Sequence, residues 1–131
     1  MPRSRGDALS HQLQNLLHSS SGLDALALVS MDGGEIASAL FAGVNRERLS
    51  AMALAAFTLG QQIGDEFERG AFQELYIRGT TGFIVLIPIA NQAILIGLAH
   101  AGARPGLVLL ELRHIAEKSV AASGGALRAR V

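Results

Sequence analysis

No cysteine occurs among the 131 residues, and that one absence removes disulfides, thiolate metal sites and cysteine nucleophiles together. Aromatic residues make up only 5% of the chain against 50% hydrophobic residues. The core is therefore expected to be aliphatic, with few rings to stack on bases or sugars. An excess of charge of either sign is also missing. Eleven Lys and Arg balance eleven Asp and Glu, which leaves no global field to attract phosphates or anionic lipid. Long apolar runs are interrupted: the stretch 82–99 is broken by Pro88, Asn91 and Gln92, and Arg3 and Arg5 precede no apolar leader. These absences predict a soluble, unexported, cytoplasmic protein with no nucleic-acid partner and no membrane insertion. The length suits one domain over 1–131, with an ordered core at about 7–122 that buries ~65–70% of the unfolded surface.

What is present is organised around residues 73–100, which read QELYIRGT, TGFIVLIPI and ANQAILIGLAH. Short runs rich in Ile, Val and Leu, separated by Thr81-Gly82 and by Ala90-Asn91-Gln92, predict three strands in an antiparallel meander. The middle run, 83–89, is nonpolar at every residue, so both its faces need cover. Upstream, residues 1–6 are expected to fray and Asp7 to cap a short helix with the apolar stripe Leu9, Leu13, Leu16 and Leu17. That helix is expected to stop at Ser19 to Gly22, with Gly22 as a left-handed cap. Residues 25–31 and 35–40 predict two strands joined by a two-residue Asp32-Gly33 hairpin. Asn45 is placed to cap a long helix over about 46–69, with Glu47 in its first turn and Gly70 as its stop.

Pro105 can open a last helix after the Gly/Pro loop 101–106. Its inward stripe is read as Leu109, Leu112, Ile115, Ala116 and Val120, with Glu111, Arg113, Glu117 and Lys118 outward. Gly124-Gly125 would end it, followed by a loose tail through Arg128, Arg130 and Val131. The order helix, two strands, helix, three strands, helix is that of an α+β domain with one five-stranded sheet.

The long helix carries too much apolar surface for its sheet. Leu49, Met52, Ala53, Ala56, Phe57, Ile63 and Phe67 are expected to face the strands, yet Ala51, Leu54, Ala55 and Leu59 lie partly on the other side, and 51–60 holds no charge. A helix apolar nearly all round must be buried nearly all round, and a domain of this size has no third layer to do it. A partner chain is the simplest cover. The small residues Ala56, Gly60 and Gly64, in line with Met52, admit two readings: close approach of a second helix, or a fit against the helix's own sheet.

Motifs for chemistry are sparse. His11 and His18 share a helix face without a third ligand, and His100 and His114 have no Ser or Asp nearby in sequence to suggest a triad. The pairs Asp32/Glu35 and Asp65/Glu66 read as a hairpin and a solvated helix end. Neither Gly-rich stretch, 31–35 or 78–82, has the Lys and Ser/Thr of a phosphate loop or opens a helix. No catalytic residue, metal or cofactor is assigned, and the chain is read as a non-enzyme. Arg46, Arg48 and Arg69 stand near the ends of the long helix, where they could rim a partner-binding surface.

The element order, the strand-Asp-Gly-strand hairpin, the Ala/Gly-rich long helix and the strands GFIVLIPI and AILIGL together resemble the Roadblock family over about 7–122. Those are the dynein light chains of that name and bacterial relatives that include regulators of Ras-like GTPases. The resemblance implies a Roadblock/profilin-like sheet in the order 2-1-5-4-3, with the long helix on one face and the terminal helices on the other. It further implies a homodimer in which long helices and third strands meet, here at Met52, Ala56, Gly60, Ile63 and Gly64, and at Leu75, Tyr76, Ile77 and Arg78. Glu74 and Arg78 could then match opposite charges across the twofold axis. The implied function is a regulator of a small Ras-like GTPase that docks around the two long helices; the alternative is a scaffold subunit without effect on GTP hydrolysis. On the close-approach reading, replacing Gly60 and Gly64 with Leu is expected to convert a dimer to monomers, measurable as a halved solution mass.

Overall fold

The three runs between 73 and 100 fold as the meander their pattern predicts. They form β3 (Leu75–Arg78), β4 (Gly82–Ile89) and β5 (Ala93–His100), each pairing antiparallel with the next. The computed structural model describes residues 5–20, 22–41 and 43–123. The expectations for residues 1–4, for Gly124-Gly125 and the tail, and for the side chains of Asp7, Lys118 and Val120 lie outside what is described. Before the meander come α1 (Arg5–Ser19), β1 (Leu23–Ser30), β2 (Glu35–Ala39) and α2 (Arg46–Glu66), and after it α3 (Pro105–Ser123). The five strands make one sheet in the order β2-β1-β5-β4-β3, antiparallel throughout.

Strand alternation divides the core into two layers. On one face Leu26, Leu28, Val85 and Leu95 pack with Leu9 and Leu13 of α1 and with Val108, Leu112 and Ile115 of α3. On the other, Val29, Leu86, Ile94 and Ile96 pack with Ala53 and Phe57 of α2. Within β4, Phe83, Val85, Ile87 and Ile89 serve the first layer and Ile84 and Leu86 the second. The expected layout of one helix on one face and two on the other is the observed one.

Several local expectations are revised. Arg5 and Gly6 are already helical, so that end does not fray at 5–6 and Asp7 is not where α1 begins. Gly22 is not left-handed. The chain leaves α1 through Ser20, whose Oγ accepts from the backbone N–H of Leu23 at 3.1 Å. Asp32-Gly33 does not form a two-residue hairpin. The backbone N–H of Ser30 bonds the Gly34 carbonyl at 2.8 Å, enclosing three residues. Only Gly33 has positive φ, +95°, with Gly33 N–H donating to the Ser30 carbonyl, the pattern of a turn closed by a left-handed third residue. Asp32 stabilises this form by accepting from the Ser30 hydroxyl and from Gly34 N–H.

Asn45 caps α2 as expected, its side chain accepting from Arg48 N–H at 3.0 Å. The helix ends at Glu66, three residues before the expected last helical residue at 69. Arg69 N–H bonds the Gly64 carbonyl at 2.8 Å and Glu68 N–H the Asp65 carbonyl at 3.2 Å, which is a Schellman closure. The left-handed position in it is held by Glu68, φ 55°, instead of a glycine. In α3, Leu112 and Ile115 are buried as read, but Val108 joins them and Leu109 and Ala116 are only half-buried. The inward line therefore runs 108, 112, 115. Glu111, expected outward, lies beside that line, half-buried, with Oε1 shielded from solvent and without a hydrogen bond.

Two substitutions check these assignments. Glu68→Gly relieves the left-handed carboxylate residue and is expected to raise stability by about 1 kcal/mol, read as a higher denaturation midpoint. Leu112→Ala, at a side chain fully removed from solvent, is expected to cost about 2–5 kcal/mol in the same assay.

Candidate functional site

The sheet has two edges, and the chain treats them differently. At the β2 edge, Ser38 N–H would face solvent but instead donates to Ser10 Oγ of α1 at 3.0 Å. That contact covers the outer strand with a helix, a common way to block unwanted strand pairing. Among the described residues the β3 edge has no such cover: β3 pairs with β4 alone, and Tyr76, Ile77 and Arg78 are exposed while Leu75 is half-buried. By register Leu75 and Ile77 stand opposite Leu86 and Ile84 on the α2 side of the sheet. Tyr76 and Arg78 stand opposite Val85 and Phe83 on the other side, where the Tyr76 ring lies 5.3 Å from that of Phe83.

α2 covers its side of the sheet with a narrow line. Ser50, Ala53 and Phe57 are buried, flanked by half-buried Leu49, Leu54 and Ala56. Met52, Ile63 and Phe67, expected to face the strands, point away from them, with exposures of 60%, 52% and 66%. Leu59 joins them at 57%. One helix face is about 100° wide, too narrow for all seven apolar residues assigned to it, and the surplus forms a second apolar line toward solvent.

The small residues of α2 separate into two cases. A Cβ on Gly60 would meet Cε2 of Phe72 at 2.5 Å, and the Phe72 ring packs edge-on against Phe57 with centroids 4.9 Å apart. Gly60 is therefore required by the protomer's own loop. A Cβ on Gly64 would find only the Gly70 carbonyl oxygen, at an ordinary 3.7 Å, so nothing among the described residues requires that glycine. Phe72 had no sequence signal, because it acts from the irregular segment before β3.

The remaining groups are dispersed. Arg46 and Arg48 lie at the start of α2 and Arg69 just beyond its end, all exposed and separated by the helix length of about 30 Å. Arg46 is near Glu35, at 4.0 Å, a carboxylate that also accepts from the Ser38 hydroxyl at 2.6 Å. Glu74 does not stand free on the β3 edge: Arg113 of α3 donates to it at 2.7 Å, so the expected pairing of Glu74 with a symmetry-related Arg78 has a competitor. His11, His18, His100 and His114 are exposed. Among the described residues no group of three His, Cys, Asp or Glu could hold a metal ion, and no helix is long and apolar enough to cross a membrane.

What the geometry offers is an exposed apolar helix line and an open strand edge, features suited to contact with another polypeptide. In comparisons with known proteins, the Roadblock/LC7 domain profile matches residues 9–99. An uncharacterized protein of Methanocaldococcus jannaschii is 31% identical over 102 residues, 78% of this chain and 89% of its own. Among solved structures, Myxococcus xanthus MglB superposes with a TM-score of 0.82 at 13% identity, covering 97% of this chain and 95% of that one. A Roadblock/LC7 domain from Streptomyces avermitilis gives 0.76 at 18% identity, with 85% and 92% covered. At those identities the two structures attest the fold.

Gly60→Ala is expected to lower stability by about 1–3 kcal/mol through the Phe72 clash, while Gly64→Ala is expected to be neutral or slightly stabilising. Thermal melts of the two variants check the distinction.

Proposed function

The chain belongs to the Roadblock/LC7 domain family, and from that premise we propose that it is a homodimeric, non-catalytic module that binds and regulates a small Ras-like GTPase. The observation that carries the reading is the exposed apolar line of α2, together with the open β3 edge. A twofold copy would cover both at once. Met52, Ala56, Ile63 and Gly64, with Gly60 behind them, would meet the same helix of the partner, and Leu75 to Arg78 would extend the sheet into the partner's third strand. Isologous burial of this kind hides an apolar surface and an unpaired strand edge together.

The GTPase part of the proposal rests on the family the sequence resembles, whose bacterial members include regulators of Ras-like GTPases. Two long helices side by side, rimmed by Arg46, Arg48 and Arg69, would form the docking surface. Those arginines stand at opposite ends of α2, so within one protomer Arg69 cannot converge with Arg46 and Arg48 on a single nucleotide. No family motif marks any of the three as an arginine finger, and none is assigned that role.

Capture from a lysate of the source organism, run in parallel with GDP and with a non-hydrolysable GTP analogue, tests the reading. A Ras-like GTPase enriched with the analogue alone is expected, and its hydrolysis rate should change when this protein is added. Enrichment with an unchanged rate would favour the scaffold alternative; no GTPase in either arm would overturn the proposal.

A further inference from the structure

Opposite its buried line of 108, 112 and 115, α3 carries a second line toward solvent. Leu107, Leu110, His114 and Glu117 follow one another at three- and four-residue spacing, so they share one side of the helix, and all four are exposed. Leu107 and Leu110 are 44% and 64% exposed, an apolar stretch on the side of the sheet away from α2. Leu110, His114 and Glu117, with Glu111 and Arg113 flanking them, border a shallow hollow. Its carboxylates are unmatched: Glu111 Oε1 is shielded from solvent without a hydrogen bond, and Glu117 has no ion-pair partner among the described residues. The adjacent Arg113 is engaged by Glu74.

Two helical turns, seven residues, separate Glu117 from Gly124, so the chain leaves α3 after Ser123 on this same line. Gly124-Gly125 is followed by Leu127, Ala129 and Val131 alternating with Arg128 and Arg130, the period of an extended segment with one apolar and one cationic side. We infer that residues 126–131, expected from sequence alone to be loose, turn back at Gly124-Gly125 and lie along the outward line, antiparallel to α3. Two glycines admit the backbone angles that so tight a reversal needs. Leu110 lies about 20 Å back from Ser123 along the helix, and six extended residues span about 20 Å. Each extended residue passes about 2.2 helical ones, which brings Arg128 level with Glu117, Arg130 about one residue from Glu111, and Val131 level with Leu110. The apolar side then faces the helix while the long arginine side chains reach sideways to the two carboxylates. A basic segment of another molecule has the same chemistry, but 126–131 is held beside the line by the chain itself, at an effective concentration no separate partner matches.

The test is methyl NOE spectroscopy on the full chain, with an equal mixture of 13C-labelled and unlabelled chains to separate contacts within a chain from contacts between chains. A cross-peak between Val131 and Leu110 of the same chain is expected. Arg128→Glu alone and Glu117→Arg alone each set like charges together and are expected to weaken it about threefold or more, and the double variant R128E/E117R to restore it. Glu117 is exposed and Arg128 lies beyond α3, so circular dichroism should be unchanged, and recovery in the double variant itself shows that the single variants fold. Absence of the cross-peak in the wild type, a cross-peak between chains alone, or single variants that leave it unchanged would each overturn the inference.

Discussion

The structure depends on one constraint: the central strands are apolar on both faces, so the sheet cannot exist without cover on both sides. β1, β4 and β5 send Leu26, Leu28, Val85 and Leu95 one way and Val29, Leu86, Ile94 and Ile96 the other. Burying apolar surface on this scale is the main favourable term available to a chain with no disulfide and, among the described residues, few ion pairs. Three helices are divided over two faces, and the division is unequal. α1 and α3 together close the first face, with Leu13 and Leu112 at its centre. α2 alone serves the second, through Ala53 and Phe57.

That inequality is the physical source of the exposed apolar surface. Cover on the α2 side thins toward the last two strands, where Ile84 remains half-buried and Ile77 is 47% exposed. The helix itself turns Met52, Leu59, Ile63 and Phe67 to solvent. The two sheet edges reinforce the asymmetry, since Ser10 blocks the β2 edge whereas the β3 edge keeps its backbone groups available. The described residues therefore leave both an apolar helix line and an open strand edge exposed. A covering polypeptide would remove both exposures, as a third layer would in a larger domain.

Local chemistry around α2 shows how sequence patterns divide into those that fix their own meaning and those that do not. Asn45 caps the helix because its side chain needs only the N–H three residues on, a relation contained within the local chain. The helix stop was misplaced, because a Schellman closure at Glu68 accepts a strained residue that no propensity would select. Gly60 and Gly64 look alike in sequence and differ in cause, since the Phe72 ring crowds the space beside one and only the Gly70 carbonyl oxygen, at ordinary contact distance, borders the other. The same limit applies to Met52 and Ile63, whose apolar character announced burial but not against which surface.

Read alone, the sequence determined the element order, the antiparallel meander, the single domain-sized sheet and the excess apolar character of the long helix. These follow from periods of two and 3.6 residues and from turn residues that act over a few positions. Tertiary structure decided which line of α2 faces the strands, which glycine the protomer itself needs, and that Ser10 closes one sheet edge while Arg113 takes the carboxylate of Glu74. Each of those outcomes joins residues far apart in the chain, whose separation in space is set by the packing of whole layers and leaves no periodic trace in the order of the amino acids.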